Sequence, residues 1–384
     1  MSPTEKLQQL LANGTELPDF KQLAMVLVKQ GADITVQAIT GDTRPTLLHI
    51  LARTNKKGIN NSEIAELVHI NSDVLEQRGD YNRTVLQSLL DRLHWNLTFE
   101  DFKQSAMILV RLGADATQRG LTGKQHTLLH SLVDNNKNGV NNEEIAELVH
   151  INPTLLKLTN NENYTALQLV INKLLSNERS GLETRMFEFE FDGGKPYNVS
   201  TEELNKQKYE IENTRKDLQQ SAMALVRLGA DITHSTINAH PTLLHALACS
   251  KNKNGVNTDN MAELALLNPN ILAFTDGNGR TPIHHLLTNN PDVTVDVIEK
   301  FLSPENLHLA DNKYATLLHV SCRAGNLPAV KYLVSRELSA TTLTDKAACR
   351  LFLRNLPGHP SPRQGQKQAT SIMPLLFRTI KFSI

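Results

Sequence analysis

Sulfur and aromatic rings are both scarce in this chain. Its three cysteines, Cys249, Cys322 and Cys349, are scattered through 384 residues, which excludes a disulfide framework and makes a reducing compartment the expectation. Phe, Trp and Tyr together make up only 5% of the residues. Net charge is also absent: 40 basic side chains balance 40 acidic ones. A general nucleic-acid binder needs a basic excess to neutralise phosphates, so no nucleic-acid partner is expected. No apolar run reaches the roughly 18 residues of a transmembrane helix. The first residues, 1–13, carry no apolar signal core. The sequons at Asn13, Asn96, Asn163 and Asn198 are accordingly expected to stay unused, and the expected location is cytoplasmic. There is no phosphate loop, metal-ligand cluster or nucleophile elbow. No segment outside the repeats described next is long enough for a catalytic domain. The chain is therefore expected to be no enzyme and to use no cofactor and no metal.

What the chain has instead is repetition. The block AMVLVKQGAD at 24–33 returns as AMILVRLGAD at 106–115 and AMALVRLGAD at 222–231. TLLH follows at 46–49, 127–130 and 242–245, and then IAELVHIN at 64–71 and 145–152 and MAELALLN at 261–268. Weaker Thr-headed copies stand at Thr84, Thr165 and Thr281, and a strong one at Thr316. The elementary period is about 40 residues, which means stacked copies of one supersecondary unit, a solenoid. Each Thr is placed to cap a short helix through its hydroxyl. Pro282 falls at a first helical position, where its missing N–H costs nothing. Gly31, Gly113 and Gly229 are expected to end helices in the left-handed conformation. Asn71, Asn152 and Asn268 are expected to do the same, Asn being the next best residue there.

Asp276-Gly277-Asn278-Gly279-Arg280-Thr281-Pro282-Ile283-His284 resembles the ankyrin-repeat consensus, as does Thr316-Leu317-Leu318-His319 followed by Ala324-Gly325-Asn326. The resemblance covers residues 20–338. It implies an all-α fold: an ankyrin-repeat solenoid of about seven helix pairs, with a core of Leu, Ala, Val and Ile. It also implies that the His of each TLLH lies on an inner helix and hydrogen-bonds to the neighbouring repeat's loop. The expected organisation is an N-terminal cap over 1–19, the array over 20–343 with an insertion at 177–216, and a basic, poorly ordered tail over 344–384.

Three departures stand out. The turn between paired helices is long in alternate repeats, and its middle copy, Asp134-Asn135-Asn136-Lys137-Asn138-Gly139, is similar to the start of an EF-hand loop. The position that needs a bidentate Glu is Ile145, so a polar turn centred on Gly is the expectation rather than a Ca²⁺ site. The insertion carries Phe187, Phe189 and Phe191 alternating with acidic residues before Gly193-Gly194. That pattern predicts a hairpin with one apolar face, and Ser200-Thr201-Glu202-Glu203 then opens a polar helix. The tail has cations at Lys346, Arg350, Arg354, Arg363, Lys367, Arg378 and Lys381 and no acidic residue after 346.

Cys249 follows His245 by one helical turn, and Cys322 follows His319 in the same way. A Cys-His hydrolase would show such spacing, but both histidines are consensus residues of the repeat. Both cysteines are expected to be small core residues. The expected function is binding of a partner protein on the concave face of the array, by a monomer. The candidate contacts are Asp42, Arg44, Asp80, Tyr81, Lys124, Glu162, Tyr164, Asn278, Arg280, Lys313 and Tyr314 at the turn tips, with the insertion's Phe187, Phe189 and Phe191. In style, the Asn- and Lys-rich repeats are similar to ankyrin effectors that intracellular bacteria deliver into the host cytosol. The alternative is a cytosolic scaffold.

Overall fold

The computed structural model describes residues 1–13, 17–38, 44–92, 98–186, 201–233, 242–249, 256–290 and 292–340. These residues are predominantly helical, with no strand and only isolated antiparallel bridges such as Arg119–Thr127 and Ala310–Thr316. No helix among them is long and apolar enough to cross a membrane. The chain divides into two compact units, one of Met1–Val170 with Glu212–Asp231, the other of Ile171–Ile211 with Ile232–Ile384.

In the first unit the helices are Pro3–Asn13, Phe20–Lys29, Leu47–Arg53, Asn61–Ile70, Val85–Arg92, Phe99–Arg111, Leu128–Asp134 and Asn142–Ile151. The two helices Ala166–Met186 and Thr201–Arg227 contribute to both units. Leu47–Arg53 and Leu128–Asp134 are only seven residues long, and six consecutive side chains of each are buried. A helix apolar on every side must be enclosed by neighbours, and each fully buried Leu or Ile contributes about 1.5–3 kcal/mol. Thr46 and Thr127 begin these helices in extended geometry, accepting from the backbone N–H of His49 and His130. Each is thus an N-cap that satisfies one of the first turn's orphan donors. The core is aliphatic, with Phe20 and Phe102 as buried rings.

The second unit adds Leu243–Cys249, Val256–Leu267, Pro282–Asn289, Val295–Phe301, Pro304–Leu307, Leu317–Ala324 and Leu327–Ala340. Leu243–Cys249 packs on Pro282–Asn289, which packs on Leu317–Ala324. Pro282 holds the first helical position, and Thr281 with His284 forms a capping box.

Two sequence expectations need correction. Gly31, Gly113 and Gly229 do adopt positive φ (86°, 107° and 94°), but Asn71, Asn152 and Asn268 do not. Their φ angles are −153°, −145° and −150°. Each leaves its helix in extended geometry, and its side-chain oxygen accepts the N–H two residues on, capping a following 3₁₀ turn. Asn's short polar arm competes for such local bonds as readily as it tolerates the left-handed region. The insertion's polar helix opens at Thr201 as expected, but it is one with the helix that holds Asp217 rather than separate from it. The insertion's two ends are helical extensions, continuous with Ala166–Met186 and Thr201–Arg227. Residues 201–216 hold neither Gly nor Pro and are rich in Glu, Lys and Gln, all good helix formers, so the helix that contains Asp217 begins well before it. The expected hairpin at 187–197, the turn residues 251–255 and the basic tail 344–384 lie outside the described residues.

The EF-hand-like turn is an Asn-built structure. The Asn136 Oδ1 accepts the N–H of Asn141 at 2.8 Å, and its Nδ2 donates to Asn142 at 2.7 Å. The Asn141 Nδ2 donates to the Leu132 carbonyl at 3.0 Å. Asn55, Asn60 and Asn61 repeat this arrangement, and Gly58 and Gly139 supply the positive φ.

Candidate functional site

The helices headed by Thr165, Thr281 and Thr316 are each preceded by a tight turn closed by a backbone hydrogen bond. Asn160 N–H donates to the Tyr164 carbonyl, Asp276 to Arg280 and Asp311 to Ala315, at 2.9, 2.9 and 3.0 Å. One side-chain oxygen of Asn160, Asp276 or Asp311 accepts the N–H groups two and four residues later. Burial alone would raise the Asp276 carboxyl. Hydrogen bonds from His285 and from the Arg280 and Asn278 backbone outweigh that and hold it well below the usual carboxylate range. Asp311 is lowered in the same way, with the Arg280 guanidinium assisting.

Within each unit successive turns are joined tip to tip. Asn161 N–H donates to the Lys124 carbonyl at 3.2 Å, and its Nδ2 to the Gly123 carbonyl at 2.9 Å. Asn312 does likewise to Asn278 and Gly277, at 2.8 and 3.0 Å. Arg44 N–H donates to Asp80 Oδ1 at 2.8 Å.

A second set of links runs beneath the tips. The Nδ1 of His49, His130, His245 and His284 lies 2.7–2.9 Å from the hydroxyl of the Thr three residues earlier. The Nε2 lies 2.9–3.1 Å from the carbonyl of Arg83, Tyr164, Arg280 and Ala315, the last residue of the next turn. The backbone N–H of Thr242 and of Thr281 points at Nδ1, so Nδ1 is the acceptor and Nε2–H the donor. Protonation would place a second hydrogen against those donors. Burial pushes His130, His245 and His284 down to about 4, and it lowers His319. With both nitrogens engaged, these imidazoles are linkers and have no lone pair left to act as a base.

The sequence candidates separate sharply. Asp80 is 4% exposed and holds Arg53 at 3.0 Å as well as the Arg44 N–H, so it organises the turn from within. Tyr164 is half-buried. Arg280 is half-buried and directs Nε to Asp311 at 3.4 Å. Arg44, Lys124, Glu162, Asn278 and Lys313 are exposed. Tyr81 and Tyr314 project furthest, 63% and 86% exposed, both with positive φ (54° and 60°). The Arg83 guanidinium sits 5.2 Å from the Tyr81 ring centre, a cation–π contact. Asp42, Phe187, Phe189 and Phe191 lie outside the described residues.

Sequence reasoning missed one cluster. Both Cys249 and Cys322 are half-buried rather than core. The Cys249 Sγ lies 3.3 Å from Nδ1 of His285, whose Nε2 lies 2.9 Å from Asp276 Oδ2. The signal was the doublet His284-His285, in which only the first His belongs to the repeat pattern. No known protein-family model matches this chain.

Proposed function

We propose that this chain is a non-catalytic ankyrin-type array that binds a partner protein through its turn tips. One observation carries the reading: two tyrosines, Tyr81 and Tyr314, are held outward in left-handed backbone that costs bulky side chains energy. Tyr offers large contact area with few rotatable bonds, and it is enriched among residues that dominate interface energy. The hydrogen bonds that join the turns support the reading further, since a surface fixed before binding loses little entropy on binding. Exposed Lys124, Glu162 and Lys313 supply a mixed-charge rim around these anchors. In the setting that the effector resemblance points to, the partner is a host-cell protein.

The test is capture of partners from a cytosolic extract by the full chain, followed by measurement of affinity for the protein recovered. Tyr81→Ala and Tyr314→Ala should each leave the melting temperature in place, and at least one should weaken binding by about 1 kcal/mol or more. A third variant lacks only residues 187–200. That deletion spares Leu218, Ala222, Met223 and Val226, which are buried on the helix that follows. If it abolishes binding while both Tyr changes do nothing, the turn-tip reading fails.

A further inference from the structure

Cys249, His285 and Asp276 form a connected chain inside the second unit. The polarity of that chain is fixed by its far end. Asp276 is an acceptor only, so the Nε2 of His285 carries the hydrogen that points at it. Nδ1 is then left with a lone pair directed at the Cys249 thiol. A base within reach of a thiol and oriented by a carboxylate is the arrangement that activates cysteine. It differs from the repeat's own histidines, whose Nδ1 faces a Thr hydroxyl.

Two effects compete at the sulfur. Cys249 is the last residue of the helix Leu243–Cys249, where the negative end of the helix dipole opposes a thiolate. That dipole is worth about half a charge, spread over the terminal carbonyls. Transfer of the thiol proton to Nδ1 creates a full positive charge 3.3 Å from the sulfur, held in place by the Asp276 carboxylate, a larger and closer charge than the dipole presents. Other charged and titratable groups stand around the pair. His245, whose ring is 5.7 Å from that of His285, and His284 are both held neutral at pH 7 by burial. Arg280 is turned to Asp311. Asp259 and Glu263 lie on the helix packed against that of Cys249, and His319 and Arg323 on the helix packed against that of His285.

The same helix end decides the chemistry. Acyl transfer needs N–H donors for an oxyanion, whereas a helix C-terminus presents carbonyls. Thiol–disulfide exchange builds no oxyanion. We infer that Cys249 is a site of reversible mixed-disulfide formation with low-molecular-weight disulfides, activated by His285 and Asp276. His285 Nδ1 takes the thiol proton, and Sγ attacks one sulfur of the incoming disulfide. Its S–S bond breaks, the other half leaves as a thiolate, and that thiolate takes the proton from the imidazolium. Cys249 is thereby oxidised to a mixed disulfide and one small thiol is released; an added thiol reverses the step.

The experiment treats the intact chain with iodoacetamide, and separately with oxidised glutathione. Peptide-resolved mass spectrometry then measures the rate at each cysteine. Cys322, also half-buried and in the same unit, is the internal reference. Cys249 should react about tenfold faster than Cys322 at pH 7, and its alkylation should persist at pH values below the ordinary thiol range of about 8.5. His285→Gln should bring it down to the rate of Cys322. Equal rates with equal pH dependence at the two cysteines in the unmodified sequence overturn the proposal, and that comparison stands even if the variant does not fold. A folded His285→Gln protein with undiminished Cys249 reactivity overturns it as well.

Discussion

At the scale of the residue, the turn position two before Thr84, Thr127, Thr165, Thr281 and Thr316 decides more than its composition suggests. Asn82, Gln125, Asn163, Gly279 and Tyr314 all occupy it, and all have positive φ, between 50° and 72°. Gly279 announces the requirement most plainly, and Asn82 and Asn163 are compatible with it; a Cβ at Gly279 would meet Asn312 at 2.5 Å. Tyr81 and Tyr164 stand three and one residues before their Thr, and it is Tyr81 and Tyr314 that share left-handed backbone. Side-chain chemistry alone does not reveal which residue has been forced into strained backbone. Tyr314→Gly should therefore stabilise the protein by up to about 1 kcal/mol, because relief of left-handed strain outweighs the added chain entropy. A rise in thermal midpoint checks it, and a fall would show that the Tyr ring contributes more than its backbone costs. The converse applies to His245, which was legible from its motif. His245→Ala removes buried hydrogen bonds to Thr242 and Arg280 and should cost on the order of 1–3 kcal/mol in a denaturant titration.

At the scale of the element, the short Thr-capped helices were readable because cap, apolar run and closing turn agree. The helix ends at Asn71, Asn152 and Asn268 were not. Asn serves both left-handed ends and caps, and only the 3₁₀ turn that follows distinguishes the two. The long turns were legible as polar and Gly-centred, but their internal wiring was not. Asn60 donates through Nδ2 to the Leu51 carbonyl and to the Thr54 hydroxyl, and its backbone N–H donates to Asn55 Oδ1; Asn141 is its counterpart. Asn60→Ala or Asn141→Ala should lower stability by about 1–3 kcal/mol, since each strands buried polar partners. Changing the exposed Lys57 to Ala in the same turn should leave stability within about 0.5 kcal/mol. Comparison of the urea midpoints of these variants decides whether the turn is held by its asparagines or merely contains them.

At the scale of the whole molecule, the all-helical character follows from the repeated blocks, because every copy carries the same period and the same caps. The extent of the two long helices did not follow. The capping pattern at Ser200-Thr201 shows where the polar helix opens, but nothing in the stretch shows that it runs unbroken to Arg227. The buried histidines give the molecule a common acid response. Their folded value of about 4 lies below the unfolded value of 6.5, so between those limits the unfolded chain binds more protons. Their contribution is complete above pH 6.5 and is lost as pH falls toward 4. At pH 5.5 each of the three should have lost about 1 kcal/mol. Urea midpoints that do not fall between pH 7.5 and 5.5 would contradict this. The imidazole Nε2–H groups that reach across to the next turn have one further consequence. A ring proton buried in a hydrogen bond exchanges with water slowly and gives its own resonance, so each link becomes a separate spectroscopic signal. The order in which those signals vanish on acidification reports, link by link, where the molecule begins to open.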